Sequence, residues 1–288
     1  MVISIDIGGT KISAALIQNG QIVERQKRPS KLHQDVELLV EDIIAICSYW
    51  SNDAEHIAIA CTGLIGEDEV NFLSINRKLK LKQILNNKFN LPITILNDAA
   101  AAAWAEYCHS EQELATLVYV TVSTGIGGGM IQNGQLVTSP DGFCAHLGHV
   151  RVPSQSTRKC HCGMTNCIEA LASGTAIGQR ASQILNTDVS CLDVFEQHAS
   201  KNEIKQLLNQ CATDLCSALT SLKAITGTKT VIIGGSVGLN PTFRKLVAAK
   251  IEQLPELYRF TLEAPICGKD ADLIGAYLYA MKEKKECK

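Results

Sequence analysis

The chain has 288 residues, 46% of them hydrophobic and 19% charged, enough for one large or two medium domains with a sizeable core. Its formal net charge of −2 leaves no basic footprint for nucleic acid, and no apolar run approaches the roughly 20 residues of a membrane span. The start, MVISIDIGGTK, has no basic leader segment and carries Asp6 inside its apolar run, so a soluble cytoplasmic protein is expected.

VISIDI reads as a short apolar strand with one acid near its end. ISAALIQNGQIVERQ then reads as strand, Asn-Gly turn and strand, because that dipeptide accepts the two left-handed residues of a tight hairpin. From Val36 to Trp50 the apolar residues fall on a helical stripe. HIAIACTG is a strand ending at Thr62-Gly63, and PITILND is another ending at Asn97-Asp98. AAAAAWAEY is helical, since alanine is the best helix former. ATLVYVTVSTG leads into a second hairpin. Residues 141–170 have little apolar period, and 175–226 are mainly helical. KTVIIGGSVG is a late strand, PTFRKLVAAKIEQL a helix opened by proline, and DADLIGAYLYAMKEKK a closing helix.

Twelve cysteines is a high count. Cys160, Cys162 and Cys167 lie close together. Cys47, Cys61, Cys108, Cys144, Cys191, Cys211, Cys216, Cys267 and Cys287 are scattered. Scatter without a framework predicts reduced, mostly buried thiols that act as small apolar side chains, not a disulfide scaffold.

The two hairpins are written almost alike. Gly8 to Val23, GGTKISAALIQNGQIV, aligns without a gap with Val122 to Val137, VSTGIGGGMIQNGQLV. The repeat predicts two similar α/β domains, 1–98 completed by the closing helix 271–288, and 99–270. In DIGGTK, glycine lets the backbone approach an anion and offer its N–H groups. Gly8, Gly9, Thr10 and Lys11 are therefore candidate phosphate contacts, with Asp6 placed to hold Mg²⁺ through water. Thr124, Gly125, Gly127, Gly128 and Gly129 are the counterparts in STGIGGGM. The competing reading is two glycine-rich hairpins with no ligand. Neither stretch is a Walker A loop or a dinucleotide fingerprint.

Asp98 ends an apolar strand and begins a helix. That position suits a general base, and equally suits a helix N-cap. Cys160, Cys162 and Cys167 with a histidine make a Cys₃His set, which zinc favours in closed structural sites. His149 gives the spacing H-x₁₀-C-x-C-x₄-C, while His161, between two of the cysteines, competes for the place.

DIGGTK, NDAAAAAWAE, STGIGGG, HLGH…CHCGMTNCIEA and VIIGGSVG, in this order over residues 6–238, resemble the ROK family of sugar kinases. The resemblance implies the actin-like, ribonuclease-H-like α/β fold, with ATP and a sugar in an interdomain active-site cleft. It implies Asp98 as catalytic base. Asn97, Glu169, Gly63 and Asn76 join it as sugar contacts, Gly234 and Gly235 lie near adenosine, and His149 is the zinc-ligating histidine. A lone glutamate such as Glu169 at a helix start is otherwise usually a solvated dipole partner. The family's usual E-x-G-H reads here His146-Leu147-Gly148-His149. An imidazole can donate a hydrogen bond where a carboxylate only accepts, so the pocket should differ from a plain glucokinase's. The pattern is nearest the branch acting on N-acetylated mannosamine, with a kinase for N-acetylglucosamine or a broad hexose kinase as the alternative. Zinc should fix the loop that carries His146, His149 and Glu169, with His149 also meeting the sugar. A homodimer is expected. A sugar-sensing repressor of the same family needs a helix-turn-helix domain before the first glycine turn, and only five residues precede Asp6.

Overall fold

The computed structural model describes residues 1–111, 114–154 and 156–286. In chain order come β1 (Val2–Ile7), β2 (Lys11–Gln18), β3 (Gln21–Pro29), α1 (Val36–Trp50) and β4 (His56–Cys61). Three short strands follow, β5 (Leu64–Ile65), β6 (Val70–Phe72) and β7 (Arg77–Leu79). Then come α2 (Leu81–Phe89), β8 (Ile93–Asn97), α3 (Asp98–His109), β9 (Thr116–Val122), β10 (Ile126–Gln132) and β11 (Gln135–Leu136). The remainder is α4 (Ile168–Ala172), α5 (Gly174–Leu185), the single turn α6 (Cys191–Asp193), α7 (Asn202–Thr226), β12 (Thr230–Gly234), α8 (Pro241–Glu252), β13 (Thr261–Glu263) and α9 (Ala271–Glu286).

One sheet has the order β3-β2-β1-β4-β8, a second β11-β10-β9-β12-β13, and a small third sheet β5-β6-β7. Both hairpin turns have the left-handed pair that Asn-Gly favours, with φ of 51° and 78° at Asn19-Gly20 and 51° and 76° at Asn133-Gly134. β1 pairs antiparallel with β2 and parallel with β4, and β9 likewise pairs antiparallel with β10 and parallel with β12. No helix among the described residues is long and apolar enough to cross a membrane.

The chain divides into two compact units. One is Met1–Leu114 with Gln135–Ala145 and Ile266–Lys288; the other is Ala115–Gly134 with His146–Pro265. Each has its own core. The first gathers Ile3, Ile5 and Ile7 of β1, Ile57 and Ile59 of β4, and Leu39, Ile43 and Ile46 of α1. The second gathers Val118 and Val120 of β9, Val231 and Ile233 of β12, and Leu208, Leu215 and Leu219 of α7. Each such aliphatic side chain contributes about 1.5–3 kcal/mol when fully buried.

The units are not the expected segments 1–98 with 271–288, and 99–270. α3 stays in the first unit because it packs on α9. Its alanines leave the backbones so close that a Cβ on Gly275 would collide with the Ala101 carbonyl. Residues 266–267 stay with α3 as well. Glu106, only 1% exposed, accepts hydrogen bonds from Ile266 N at 2.9 Å and Cys267 N at 3.0 Å.

The scattered cysteines divide. Cys47, Cys61, Cys211 and Cys216 are buried, Cys144, Cys191 and Cys267 are half-buried, and Cys108 is exposed. Burial pushes the Cys47 thiol up to about 12, as an inert apolar side chain requires. Cys287 lies outside the described residues.

Candidate active site

In the first unit, Ile7 pairs with Ile12, so Gly8, Gly9, Thr10 and Lys11 form the turn between β1 and β2. Gly8 N donates to Lys11 O at 3.0 Å, and Thr10 and Lys11 are exposed. Asp6, 8% exposed, sits near the end of β1. Burial, and then neighbouring Asp98, push its carboxyl up to about 7 against the opposing charge of Lys11.

β8 ends at Asn97 and α3 begins at Asp98. The cap of this helix is Asn97. Its Oδ1 accepts from Ala99 N at 3.0 Å and Ala100 N at 3.3 Å, and its Nδ2 donates to Gly63 O at 3.1 Å. The capping role that competes with catalysis at Asp98 is thus filled by its neighbour, although Asp98 Oδ1 also accepts from Ala99 N at 2.8 Å. Gly63 has φ 105°, and a Cβ there would lie 2.7 Å from Asn71 O, so only glycine fits. Asn76 is exposed, with φ 50°, after the 3-10 turn Leu73–Ile75.

A third carboxylate joins this group. Asp272, in the first turn of α9, is pushed well above the usual carboxylate range by burial, then by Asp6 and Asp98, with Lys11 opposing. Sequence reasoning missed it, because an acid in a helix's first turn ordinarily marks no more than a dipole partner.

In the second unit the repeated turn is tighter than its counterpart. Val122 pairs with Ile126, leaving Ser123, Thr124 and Gly125 as the turn. Gly127, Gly128 and Gly129 are strand residues of β10, opposite Thr121, Val120 and Tyr119. Two of the glycines are explained by packing alone. A Cβ on Gly128 would collide with Leu147, and one on Gly125 would lie 2.7 Å from Glu169 Oε2. Glu169 Oε2 in turn accepts from Ile126 N at 3.0 Å, so this side chain braces the glycine turn. The first residues of α5 brace it too. Gly174 N donates to Ser123 O at 2.7 Å and Thr175 Oγ1 to Thr124 O at 2.9 Å. Gly234 ends β12 against the Tyr119 hydroxyl group. Gly235 has φ 83°, and a Cβ there would meet the Val122 carbonyl.

The Cys/His loop resolves the competition between histidines. One ligand atom each from His149, Cys160, Cys162 and Cys167 lies within 4.8 Å of all the others, whereas His161 is exposed outside the group. Cys160 Sγ is 3.4 Å from His149 Nδ1, and Cys162 Sγ is 3.5 Å from Cys167 Sγ. A knuckle presents the thiols, with Gly163 at φ 90° and Cys160 N donating to Met164 O at 2.8 Å. Burial, with Cys162 and Cys160 alongside, pushes the Cys167 thiol up to about 12. Three thiols and an imidazole so close together are the donor set that a tetrahedral zinc ion compensates. The His146 ring stacks on that of His149, with centroids 6.1 Å apart and planes inclined by 10°. Burial lowers the proton affinity of His149, and Glu169 opposes that effect.

The ROK family profile matches residues 2–283. The chain belongs to the ROK family. It is 37% identical over 290 residues to the N-acetylmannosamine kinase of Shigella flexneri, covering 98% of this chain and 99% of that one. The ROK hexokinase of Thermus thermophilus matches with a TM-score of 0.83 and 26% identity over 99% of both chains. A ROK family glucokinase from Streptomyces griseus, in complex with glucose and AMPPNP, matches with a TM-score of 0.83 and 26% identity over 98% of this chain and 99% of that one. The fold is thus the actin-like α/β fold of the ROK sugar kinases.

Proposed function

We propose that the protein is an ATP-dependent kinase that transfers a phosphoryl group to the 6-hydroxyl of N-acetylmannosamine, in the cytoplasm, as a step in sialic acid breakdown. The observation that carries the reading is Asp98. It stands at the start of α3 beside Asp6, with the capping work already done by Asn97, in a chain 37% identical to a kinase for that sugar along 98% of its length.

Phosphoryl transfer demands positioning and charge compensation more than covalent chemistry from the protein. Asp98 accepts the proton of the attacking hydroxyl. Asn97 has one amide hydrogen beyond its bond to Gly63, and the sugar takes it; Gly63 and Asn76 complete the first unit's sugar contacts. His146, His149 and Glu169 supply the second unit's. Gly8, Gly9, Thr10 and Lys11 hold phosphate oxygens, and Thr124 and Gly125 do the same on the second turn. Gly127, Gly128 and Gly129 shape that hairpin, and Gly234 and Gly235 leave room beside adenosine. Mg²⁺, when bound through Asp6, neutralises phosphate charge. His149, Cys160, Cys162 and Cys167 would hold a structural zinc ion, whose closed ligand set leaves no position for chemistry. The reading includes a homodimer, which light scattering on the purified protein tests.

The deciding assay is ADP release with N-acetylmannosamine, N-acetylglucosamine, glucose and mannose, each with ATP and Mg²⁺. N-acetylmannosamine should give the highest kcat/KM. Preference for N-acetylglucosamine, or equal rates on all four, would replace the substrate while keeping the kinase. No ADP release with any sugar would sink the reading.

A further inference from the structure

The loop between β3 and α1 closes over the first glycine turn. Ser30 N donates to Thr10 O at 2.9 Å, which ties the loop to the turn. Leu32 is 2% exposed and anchors the loop in the core. Asp35 caps α1, accepting from Glu37 N at 2.8 Å. Between the anchor and the cap stands His33, an exposed residue. Its ring lies over the turn, with Nε2 only 3.2 Å from where a Cβ on Gly9 would be. A Cβ at position 9 would therefore crowd this imidazole.

The arrangement has a reason if the turn holds an anion. Arg28 and Lys31, the basic neighbours of the loop, are both directed at Asp42, at 3.5 Å and 3.0 Å. Their charges are committed there. His33 joins Thr10 and Lys11 as a side-chain donor at the turn itself. An imidazole N–H can donate to a phosphate oxygen, and a hydrogen bond to a charged group is the strong kind. A side chain fixed at its neighbours on both sides makes that bond with little loss of loop freedom.

We propose that His33 is a nucleotide-binding residue: its Nε2 donates to an oxygen of the terminal phosphate held on the Gly8–Lys11 turn. The inference rests on the reading of that turn as a phosphate site. It adds a specificity device, because a contact to the terminal phosphate distinguishes a nucleoside triphosphate from its diphosphate product.

The test is titration calorimetry of the whole chain with AMPPNP and with ADP, each with Mg²⁺. It compares the unaltered protein with His33→Ala, His33→Gln and the neighbouring control Gln34→Ala. His33→Ala should weaken AMPPNP by about tenfold, the scale of one hydrogen bond to a charged group. ADP should change by less than about twofold, and His33→Gln should recover part of the loss. The KM for N-acetylmannosamine should not move. AMPPNP affinity within about twofold of the unaltered protein in His33→Ala, or an equal loss with ADP, overturns the assignment. An unaltered chain that binds AMPPNP yet phosphorylates no sugar refutes the kinase reading alone, and the His33 comparison still decides. An unaltered chain that binds no AMPPNP overturns both.

Discussion

Asp98 and Asn97 divide two jobs between adjacent residues. Asn97 uses its carbonyl oxygen on α3 and one amide hydrogen on Gly63, while Asp98 Oδ1 accepts from Ala99 N at 2.8 Å and its carboxylate is the proposed base. Asp98→Asn should lower kcat by about 10²–10⁴, the usual worth of a general base, while calorimetry finds N-acetylmannosamine binding nearly unchanged. A variant retaining more than about a tenth of the activity would reduce Asp98 to a structural residue. A second carboxylate makes a stability prediction. Asp214 on α7 is 3% exposed; Oδ1 accepts from Gln210 Nε2 at 2.8 Å, and Oδ2 is buried without a hydrogen bond. Burial holds its proton affinity above the usual carboxylate range, with Gln210 and Arg180 opposing. The folded state therefore binds the proton more tightly than the unfolded one. Stability is lost as pH rises through the ordinary value of 3.8 toward the raised one. Asp214→Asn should raise the melting temperature at pH 7–8, with the gain gone below about pH 4. Equal shifts at both pH values would exclude the ionisation as its cause.

α3 and α9 form the closest helix pair of the first unit because small residues line the contact. Gly275→Ala puts a methyl group against the Ala101 carbonyl, so α9 must back away. The expected loss is about 1–3 kcal/mol in urea unfolding, the cost of overpacking a filled site. α9 also carries Asp272, so kcat should fall further than the stability loss explains. Unchanged unfolding would show that the helices can slide apart freely. The Cys/His loop has backbone ties of its own, such as Val152 N to Asn166 O at 3.1 Å and Cys160 N to Met164 O at 2.8 Å, to which a bound zinc ion would add. Metal analysis should find one zinc per chain, and Cys162→Ala should lose it. Because β10, Leu147 and Glu169 pack on this loop's ends, zinc loss should lower stability and raise the sugar KM more than the ATP KM. Chelated protein with an unaltered sugar KM would confine zinc to a structural staple.

At the scale of the whole molecule, ligands that bind only the folded chain add stability by mass action, about 2.7 kcal/mol at 100 times Kd. AMPPNP and N-acetylmannosamine should each raise the melting temperature, and glucose at the same concentration should raise it less. An equal shift with glucose would count against the amino-sugar pocket.

The strands, both Asn-Gly turns and the long helices were legible because period and turn chemistry are local properties. VISIDI, HIAIAC and the stripe from Val36 to Trp50 emerge as β1, β4 and α1. The sequence also held the order of motifs that mark the family, and the Cys₃His set. The rest depends on contacts between residues far apart in the chain. The repeat aligns letter by letter, and Gly127, Gly128 and Gly129 lie in β10 as their counterparts Ser13, Ala14 and Ala15 lie in β2, yet pairing of Val122 with Ile126 leaves the second turn one residue shorter than the first. Hydrogen-bond register is set across strands, where an alignment does not look. That Asp272 approaches Asp6 and Asp98, and that His33 lies over Gly9, were likewise decided by tertiary packing. Sequence determined which groups the chain carries and which local shapes present them. Only the folded backbone, closing loops between distant residues, determined which of those groups meet.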